Sequence, residues 1–337
     1  MISFKESENT KSTVRTFLSA FGAVMGIIFL ILVFAGCGDR QTVDLTYRRA
    51  AVLHADGEVG AIEHIENDAE EELKLHAAQA FIYDADLGKY LYLRGSDKIL
   101  YPASTTKLLT ALYALELLSP EELITPGEEL TFKNEQSAIA FIKEHHTLSV
   151  EMLIEGMMLP SGGDAAYALA AAGGYALSKA DISASEAVDL FIQGMNEYAK
   201  EIGMCGSNFT SPDGFHDPEN YSTLEDMTIL ALAASKNEII MKYASLPSAS
   251  VTYASGHTNT WRNTNRMLHE EDEYYSPYVT GLKTGTLEGN SCLICTFSIN
   301  GKNYIAGVFS EKTEELRYID MKDIIAFCED RESSDRQ

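Results

Sequence analysis

The chain has 337 residues, 45% of them hydrophobic, and a formal net charge of −24 at pH 7. A chain of this length and apolar content can bury one large core. The strong negative charge argues against a nucleic-acid partner, because binding to phosphates needs a basic surface.

The N-terminal segment, residues 1–38, predicts attachment to a membrane. No charged residue lies between Thr16 and Gly38, a stretch long enough to span a bilayer, and two lysines and an arginine precede it. The run ends in Phe-Ala-Gly-Cys37, which resembles a bacterial lipoprotein cleavage box with Cys37 as the lipidated residue. The alternative is an uncleaved anchor, and both place the rest of the chain outside the cytoplasmic membrane.

Residues 39–76 are acidic and contain little that could form a core. This composition predicts a stalk between the membrane and a folded domain. After it, the segments AAQAFIYDA and KYLYLRG flank Asp86-Leu87-Gly88. Two apolar runs around such a turn predict a β-hairpin.

The next element is Ser104-Thr105-Thr106-Lys107, followed by the apolar run KLLTALYALELL. Residues three apart in a helical turn share one face, so the Lys107 amine can reach the Ser104 hydroxyl. A lysine of lowered pKa can remove the proton of a serine nucleophile, a pairing that suggests acyl transfer. The alternative is that Ser104 or Thr105 only caps the helix and Lys107 is a surface residue.

A second polar turn follows at Ser161-Gly162-Gly163-Asp164. The preceding segment, SVEMLIEGMML, has helical periodicity, and Asp164 is expected to cap a short helix that ends at Gly173-Gly174. Ser161 would then lie on a tight turn between two helices, where it either faces a cleft or belongs to a plain loop.

The third element, TGLKTGT, predicts a strand that carries Lys283, Thr284, Gly285 and Thr286. Glycine would let an extended peptide lie close to the edge of this strand. Downstream, SCLICTFSI and KNYIAGVF flank Asn300-Gly301, a strong hairpin signal. These elements predict an α+β fold in which both ends of the chain build an antiparallel sheet and the helical middle packs on it.

The motif order S-x-x-K, S-G-x and K-T-G resembles that of the penicillin-recognising serine enzymes. Within them, the chain is similar to the D-alanyl-D-alanine carboxypeptidase family, the low-molecular-weight penicillin-binding proteins, from about residue 77 to residue 330. The stretches YPASTTKLLTALYALE, MLIEGMMLPSGGDAA and VTGLKTGT carry this resemblance. It implies a β-lactamase/transpeptidase-like fold with an all-helical subdomain in residues 77–330, followed by a polar tail at 331–337.

The resemblance also implies roles for individual residues. Ser104 is the acylated nucleophile, Lys107 its general base and Ser161 a proton relay. Lys283 supports this network, and the backbone N–H groups of Ser104 and Thr286 form the oxyanion hole. The hydroxyls that hold the substrate carboxylate belong to Thr284 and Thr286, on either side of Gly285.

The chain departs from the family pattern at Gly163, where the second motif usually has asparagine. An asparagine amide binds the substrate's peptide carbonyl and touches the lysine. We expect a water or a neighbouring side chain such as Asn265 to fill the gap, and Gly163→Asn to raise turnover if the turn tolerates a side chain. The residues after K-T-G, at 286–289, also differ from the usual pattern.

The sequence thus predicts a serine D-alanyl-D-alanine carboxypeptidase that acts on peptidoglycan stem peptides and is trapped covalently by β-lactams. One alternative is a catalytically weak penicillin-binding or wall-sensing module, which Gly163 keeps open. The other, less favoured, is a β-lactamase, because the E-x-x-L-N pattern that usually supplies its deacylating carboxylate is absent between Ser161 and Lys283. We expect no cofactor and no metal site. Four cysteines are expected to be small buried hydrophobes, namely Cys205, Cys292, Cys295 and Cys328.

Overall fold

The computed structural model describes residues 73–334 and the backbone of residues 51–53 and 59–61. The predicted membrane segment with Cys37, most of the predicted stalk and residues 335–337 lie outside this part. Within it, no helix is both long enough and apolar enough to cross a membrane.

The strands, in chain order, are β1 (Ala51–Leu53), β2 (Val59–Ala61), β3 (Gln79–Asp84), β4 (Lys89–Arg94), β5 (Leu123–Ile124), β6 (Leu148–Ser149), β7 (Ser248–Thr252), β8 (Thr258–Arg262), β9 (Val279–Leu287), β10 (Asn290–Ile299) and β11 (Lys302–Glu311). Five of them form the central antiparallel sheet, in the order β4-β3-β11-β10-β9. Both chain ends therefore contribute to one sheet, as predicted, and β9 with its K-T-G motif is an edge strand.

Both predicted hairpins are present. Asn300 and Gly301 join β10 to β11 with φ angles of 53° and 86°, the left-handed values that a two-residue type I′ turn requires. Asp84 closes β3, and its Oδ1 accepts from the N–H groups of Asp86 and Leu87 at 3.0 and 2.8 Å. These local hydrogen bonds hold the turn that leads into β4.

The α-helices, in chain order, are α1 (Lys107–Leu117), α2 (Val150–Met158), α3 (Gly163–Leu177), α4 (Ala184–Glu201), α5 (Leu224–Ser235), α6 (Glu238–Ala244) and α7 (Glu314–Ser334). The sheet lies between two apolar clusters. Alternate residues of a strand serve the two sides, so Ile294 contributes to the cluster with α1 and Leu293 to the cluster with α7. The predicted α+β fold is confirmed.

Helix α3 differs from the prediction, since it continues through Gly173-Gly174 to Leu177. A Cβ at Gly174 would collide with the backbone of Ala187 on α4, and one at Gly173 would lie 2.6 Å from the Phe191 ring. The two glycines therefore mark a close approach between helices and not a helix end. Asp164 does not cap α3 from its N-cap position. Its carboxylate accepts instead from backbone N–H groups, including those of Ala140 and Ile142, at 2.8 and 2.9 Å.

The packed region starts slightly before residue 77. Leu73 and Leu75 are buried, and the backbone N–H groups of His76 and Ala77 donate to Asp320 on α7 at 3.0 and 2.7 Å. At the other end, α7 runs to Ser334. Residues 73–76 and the start of the polar tail therefore belong to the folded unit.

Three of the cysteines expected to be buried hydrophobes are buried and free, Cys292, Cys295 and Cys328. Cys292 and Cys295 lie in different apolar clusters, because residues three apart on a strand point to opposite faces. For Cys205 the prediction is wrong, since it follows α4 at the surface.

Candidate active site

Ser104 lies in a 3₁₀ turn, Ala103–Thr106, that leads directly into α1. Residues i and i+3 eclipse each other in 3₁₀ geometry, so the turn aligns Ser104 with Lys107 more closely than an α-helix would. Ala103 begins the turn with a φ of 50°, a left-handed value that is uncommon for a residue with a side chain. Ser104 itself is partly exposed and can be reached by a ligand.

Lys107 is 1% exposed, and its Nζ donates to Ser104 Oγ at 2.8 Å and to the backbone carbonyl of Asp213 at 2.7 Å. Burial lowers the pKa of Lys107 from 10.5 to about 8, while the carboxylates of Asp213 and Asp164 act in the opposite direction. A buried ammonium is costly to desolvate, so the amine loses its proton more readily than in water. Lys107 is therefore a buried amine in contact with the Ser104 hydroxyl and not a surface residue.

The second motif forms the connection between α2 and α3. Ser161 is buried, with a φ of 63°, and Gly163 is the first residue of α3. The N–H groups of Gly162 and Gly163 donate to the carbonyls of Gly156 and Ala138 at 3.1 and 2.7 Å, so the turn is fully tied into the domain. Among the described residues, the Lys107 amine bonds to Ser104 and Asp213 and makes no hydrogen bond to Ser161.

The gap expected at Gly163 is already filled. A Cβ at this position would lie 2.9 Å from Oδ2 of Asp213 and 3.1 Å from Cβ of Ser137. The expected substitute, Asn265, points elsewhere, since its amide donates to Cys295 Sγ at 3.7 Å and its oxygen accepts from Met267 N. The prediction that Asn265 fills the gap is therefore wrong.

Lys283, on edge strand β9, is 1% exposed, and its Nζ donates to the carbonyl of Thr284 at 3.1 Å. Burial first, and then the positive charges of Lys107 and Arg317, hold the pKa of Lys283 well below its ordinary value. The two motif lysines are thus close enough to interact electrostatically. The Thr284 hydroxyl bonds to the Thr264 hydroxyl at 2.6 Å.

Gly285 is the point at which β9 meets the 3₁₀ turn that carries Ser104. A Cβ built on Gly285 would lie 2.9 Å from Ala103 Cβ, 3.0 Å from the Pro102 carbonyl and 3.2 Å from the Ser104 nitrogen. Contacts between carbon atoms are normally 3.5–4.0 Å. Only glycine therefore fits here without a shift of the strand away from Ser104.

Arg317 on α7 lies at the site and was not predicted from the sequence. It is 2% exposed, and its guanidinium donates to the Gly285 carbonyl and to Thr286 Oγ1, both at 2.9 Å, and to Glu314 at 2.8 Å. A buried arginine beside the K-T-G-T strand supplies fixed positive charge for an anion. The only sequence signal is a basic residue on the inner face of a helix with apolar neighbours.

The structure thus brings the first and third motifs together, while Ser161 lies in the neighbouring turn without a hydrogen bond to Lys107. Ser104 contacts Lys107, Gly285 packs on the Ser104 turn, and Thr286 is tied to Arg317. Within residues 73–334, no group of three or more histidine, cysteine, aspartate or glutamate side chains is arranged to hold a metal ion. The arrangement favours covalent catalysis by a serine with a lysine base.

The comparisons with known proteins agree with this chemistry. Residues 66–313 match the sequence profile of the D-alanyl-D-alanine carboxypeptidase family. The D-alanyl-D-alanine carboxypeptidase DacF of Bacillus subtilis is 30% identical over 261 residues, which are 76% of this chain and 63% of the relative. The D-alanyl-D-alanine carboxypeptidase of Streptomyces sp. strain K15 is 31% identical over 251 residues, 71% of this chain and 82% of the relative.

Two solved structures are similar in fold. The DD-transpeptidase of Streptomyces K15 superposes with a TM-score of 0.68 at 26% sequence identity. The aligned part is 78% of this chain and 98% of the transpeptidase chain. Penicillin-binding protein D2 of Listeria monocytogenes, in its ampicillin-bound form, has a TM-score of 0.61 at 28% identity, with 75% and 98% covered. The predicted family and fold are confirmed, and the chain belongs to the D-alanyl-D-alanine carboxypeptidase family.

Proposed function

We propose that this protein is a serine D-alanyl-D-alanine carboxypeptidase that removes the terminal D-alanine from peptidoglycan stem peptides through an acyl-enzyme on Ser104. The observation that carries the proposal is the 2.8 Å contact between Ser104 Oγ and the buried amine of Lys107. A serine hydroxyl is a weak nucleophile unless a base takes its proton, and this amine is the base within reach.

The reaction begins with neutral Lys107. Its Nζ accepts the Ser104 proton while Oγ attacks the carbonyl carbon of the last peptide bond. The C–N bond breaks, D-alanine leaves with a proton on its amine, and the shortened peptide remains as an ester on Ser104. Water then hydrolyses the ester and restores the hydroxyl. Ser161, buried in the neighbouring turn, is proposed to relay the proton to the leaving amine.

The tetrahedral intermediate carries a negative oxygen that needs fixed donors. The N–H groups of Ser104 and Thr286 are proposed to supply them, because β9 approaches the nucleophile turn at Gly285. Such donors are worth about 3 kcal/mol each in acyl transfer. Their spacing is therefore one of the largest contributions to the rate.

The substrate's terminal carboxylate is proposed to bind at the end of β9. Arg317 is buried there and donates to Thr286 Oγ1 at 2.9 Å, and Lys283 adds a second basic group. A carboxylate in this place would meet hydroxyl donors backed by positive charge, the environment that stabilises an anion. Binding of the carboxylate at this place would make the enzyme prefer peptides with a free carboxyl terminus, the preference that an exopeptidase needs.

The test uses the full-length protein in detergent and a peptide that ends in D-alanyl-D-alanine. We expect stoichiometric release of D-alanine by the wild type and none by Ser104→Ala, with fluorescent penicillin labelling lost in the same variant. Labelling without any D-alanine release would favour the binding-module alternative. Rapid turnover of penicillin would favour the β-lactamase.

The same assay shows what accepts the acyl group. The Streptomyces K15 structure is that of a DD-transpeptidase. Transpeptidation, by definition, passes the acyl group to an amine and not to water. We expect water to be the main acceptor here, so that an added amino-acid acceptor leaves the yield of the shortened peptide almost unchanged. A dominant amide product would make the protein a transpeptidase.

We further propose that residues 1–38 attach the enzyme to the outer face of the cytoplasmic membrane, through lipidated Cys37 or as an uncleaved anchor. The support is the uncharged stretch from Thr16 to Gly38, which is long enough to span a bilayer. Fractionation of cells that express the full chain would test the attachment.

A further inference from the structure

A carboxylate occupies the space that a side chain at position 163 would take. Asp213 is 2% exposed, and its Oδ2 lies 2.9 Å from the position of a Cβ built on Gly163. Gly163 has no positive φ, so backbone conformation is not the reason for the glycine. Glycine and aspartate at these two positions are therefore matched in volume.

The Asp213 side chain is held on both oxygens. Oδ2 accepts from Ser137 Oγ at 2.8 Å, and Oδ1 accepts from the N–H of Phe215 at 3.1 Å. The backbone carbonyl of the same residue accepts from Lys107 Nζ at 2.7 Å. Asp213 thus joins the Ser137 hydroxyl and the Lys107 amine in one hydrogen-bond network.

The loop that carries Ser137 is also attached to the second motif, since the Ala138 carbonyl accepts from Gly163 N at 2.7 Å. The Asp213 carboxylate therefore lies among three parts of the site: the loop before α2, the start of α3 and the base on α1. Asn265, the side chain expected to fill this place, bonds instead to Cys295 and Met267.

We propose that Asp213 is the positioning residue for Lys107 and the second-motif turn in this enzyme, in place of a side chain at position 163. The proposal rests on the function proposed above and deepens it. It makes residues 163 and 213 a coupled pair, in which a side chain on one requires a small residue on the other. Ser137 supports the pair through its hydrogen bond to Asp213.

Charge gives a second, independent consequence. The groups that act on Lys107 are the carboxylates of Asp213 and Asp164, which favour the ammonium, and the neighbouring basic Lys283. Asp213→Asn keeps the volume and the oxygen for Phe215 N but removes one negative charge. The acid limb of the acylation rate should therefore move to lower pH, a change that loss of packing alone would not produce.

The experiment measures the rate of penicillin acylation of the full-length protein, together with thermal melting. Asp213→Ala and Gly163→Asn should each lower the rate about tenfold, as expected when one hydrogen bond in a site is lost or displaced. The double variant should recover to within about threefold of the wild type. Asp217→Asn, the same charge change four residues away, should alter neither the rate nor its pH dependence.

Two results would overturn the proposal. One is a double variant whose loss in acylation rate equals the product of the two single losses. The other is an Asp213→Asn variant whose acylation rate keeps the pH dependence of the wild type. If Asp213→Ala does not fold, Asp213→Ser replaces it, since serine keeps an oxygen for Phe215 N and vacates the space near Gly163. The readout does not depend on D-alanine release. A wild type that labels with penicillin but releases no D-alanine would refute the carboxypeptidase and leave this test intact.

Discussion

Gly285→Ala should disable the enzyme although it adds only one methyl group. The new carbon would lie 2.9 Å from Ala103 Cβ and 3.2 Å from the Ser104 nitrogen. Ordinary contacts need 3.5–4.0 Å, so β9 must retreat from the nucleophile turn by several tenths of an ångström or more. Because β9 is an edge strand, it can move without breaking the rest of the sheet.

The movement separates the two donors proposed for the oxyanion hole, the N–H groups of Ser104 and Thr286. Loss of one such donor costs about 3 kcal/mol, which corresponds to roughly a hundredfold in rate. We therefore expect penicillin acylation of Gly285→Ala to fall about a hundredfold, with a much smaller change in melting temperature.

Stopped-flow measurement of acylation with a fluorescent penicillin checks this expectation. Gly127→Ala is the matched control, because its new methyl would meet only the end of the Glu129 side chain, at 3.2 Å. An acylation rate of Gly285→Ala within about threefold of the wild-type rate would show that the close approach of β9 does not set the geometry of the two donors.

Acylation should rise as pH rises through about 8 and then level off, because burial lowers the pKa of Lys107 to about 8 and only the neutral amine accepts a proton; a flat profile from pH 6 to 9 would contradict this. Lys107→Ala should lower mainly the acylation rate constant, whereas Lys283→Ala should also weaken substrate binding, and rates measured against substrate concentration separate the two. Arg317→Leu should reduce the preference for a free over an amidated peptide C-terminus by at least about tenfold, measured as the ratio of kcat/KM values; an unchanged ratio would remove the carboxylate role. Cys37→Ser should leave a longer, unprocessed chain in the membrane by intact mass, and a wild-type chain that still begins near Met1 would exclude lipidation.

The parts of the site that follow from local geometry could be predicted from the sequence. Ser104 and Lys107 share one helical turn, so their contact needs no tertiary information. The Asn300-Gly301 turn is equally local, because its dihedral angles suit those two residues. The same holds for Cys292 and Cys295, which lie on opposite faces because side chains alternate along β10.

The parts that depend on how elements meet could not be predicted. Gly173-Gly174 resembles a helix end in sequence, yet it serves the contact between α3 and α4. Arg317 lies on a helix far along the chain from the nucleophile, and only the packing of α7 beneath the sheet brings it to Thr286. In both cases the role of the residue depends on neighbours in space that are distant along the chain.

Position 163 shows why a missing motif residue is hard to interpret from sequence alone. From the sequence alone, glycine in place of asparagine implies that a hydrogen bond to the substrate is lost, so restoring asparagine is expected to raise turnover. In the folded domain, the missing volume belongs to Asp213, whose Oδ2 would lie 2.9 Å from the added Cβ and would have to leave Ser137 to make room. A buried oxygen that loses its donor costs about 1–3 kcal/mol, more than one added amide hydrogen bond returns. We therefore expect Gly163→Asn to lower the rate of the otherwise wild-type enzyme and not to raise it. The same substitution should raise the rate only in a variant whose residue 213 is small.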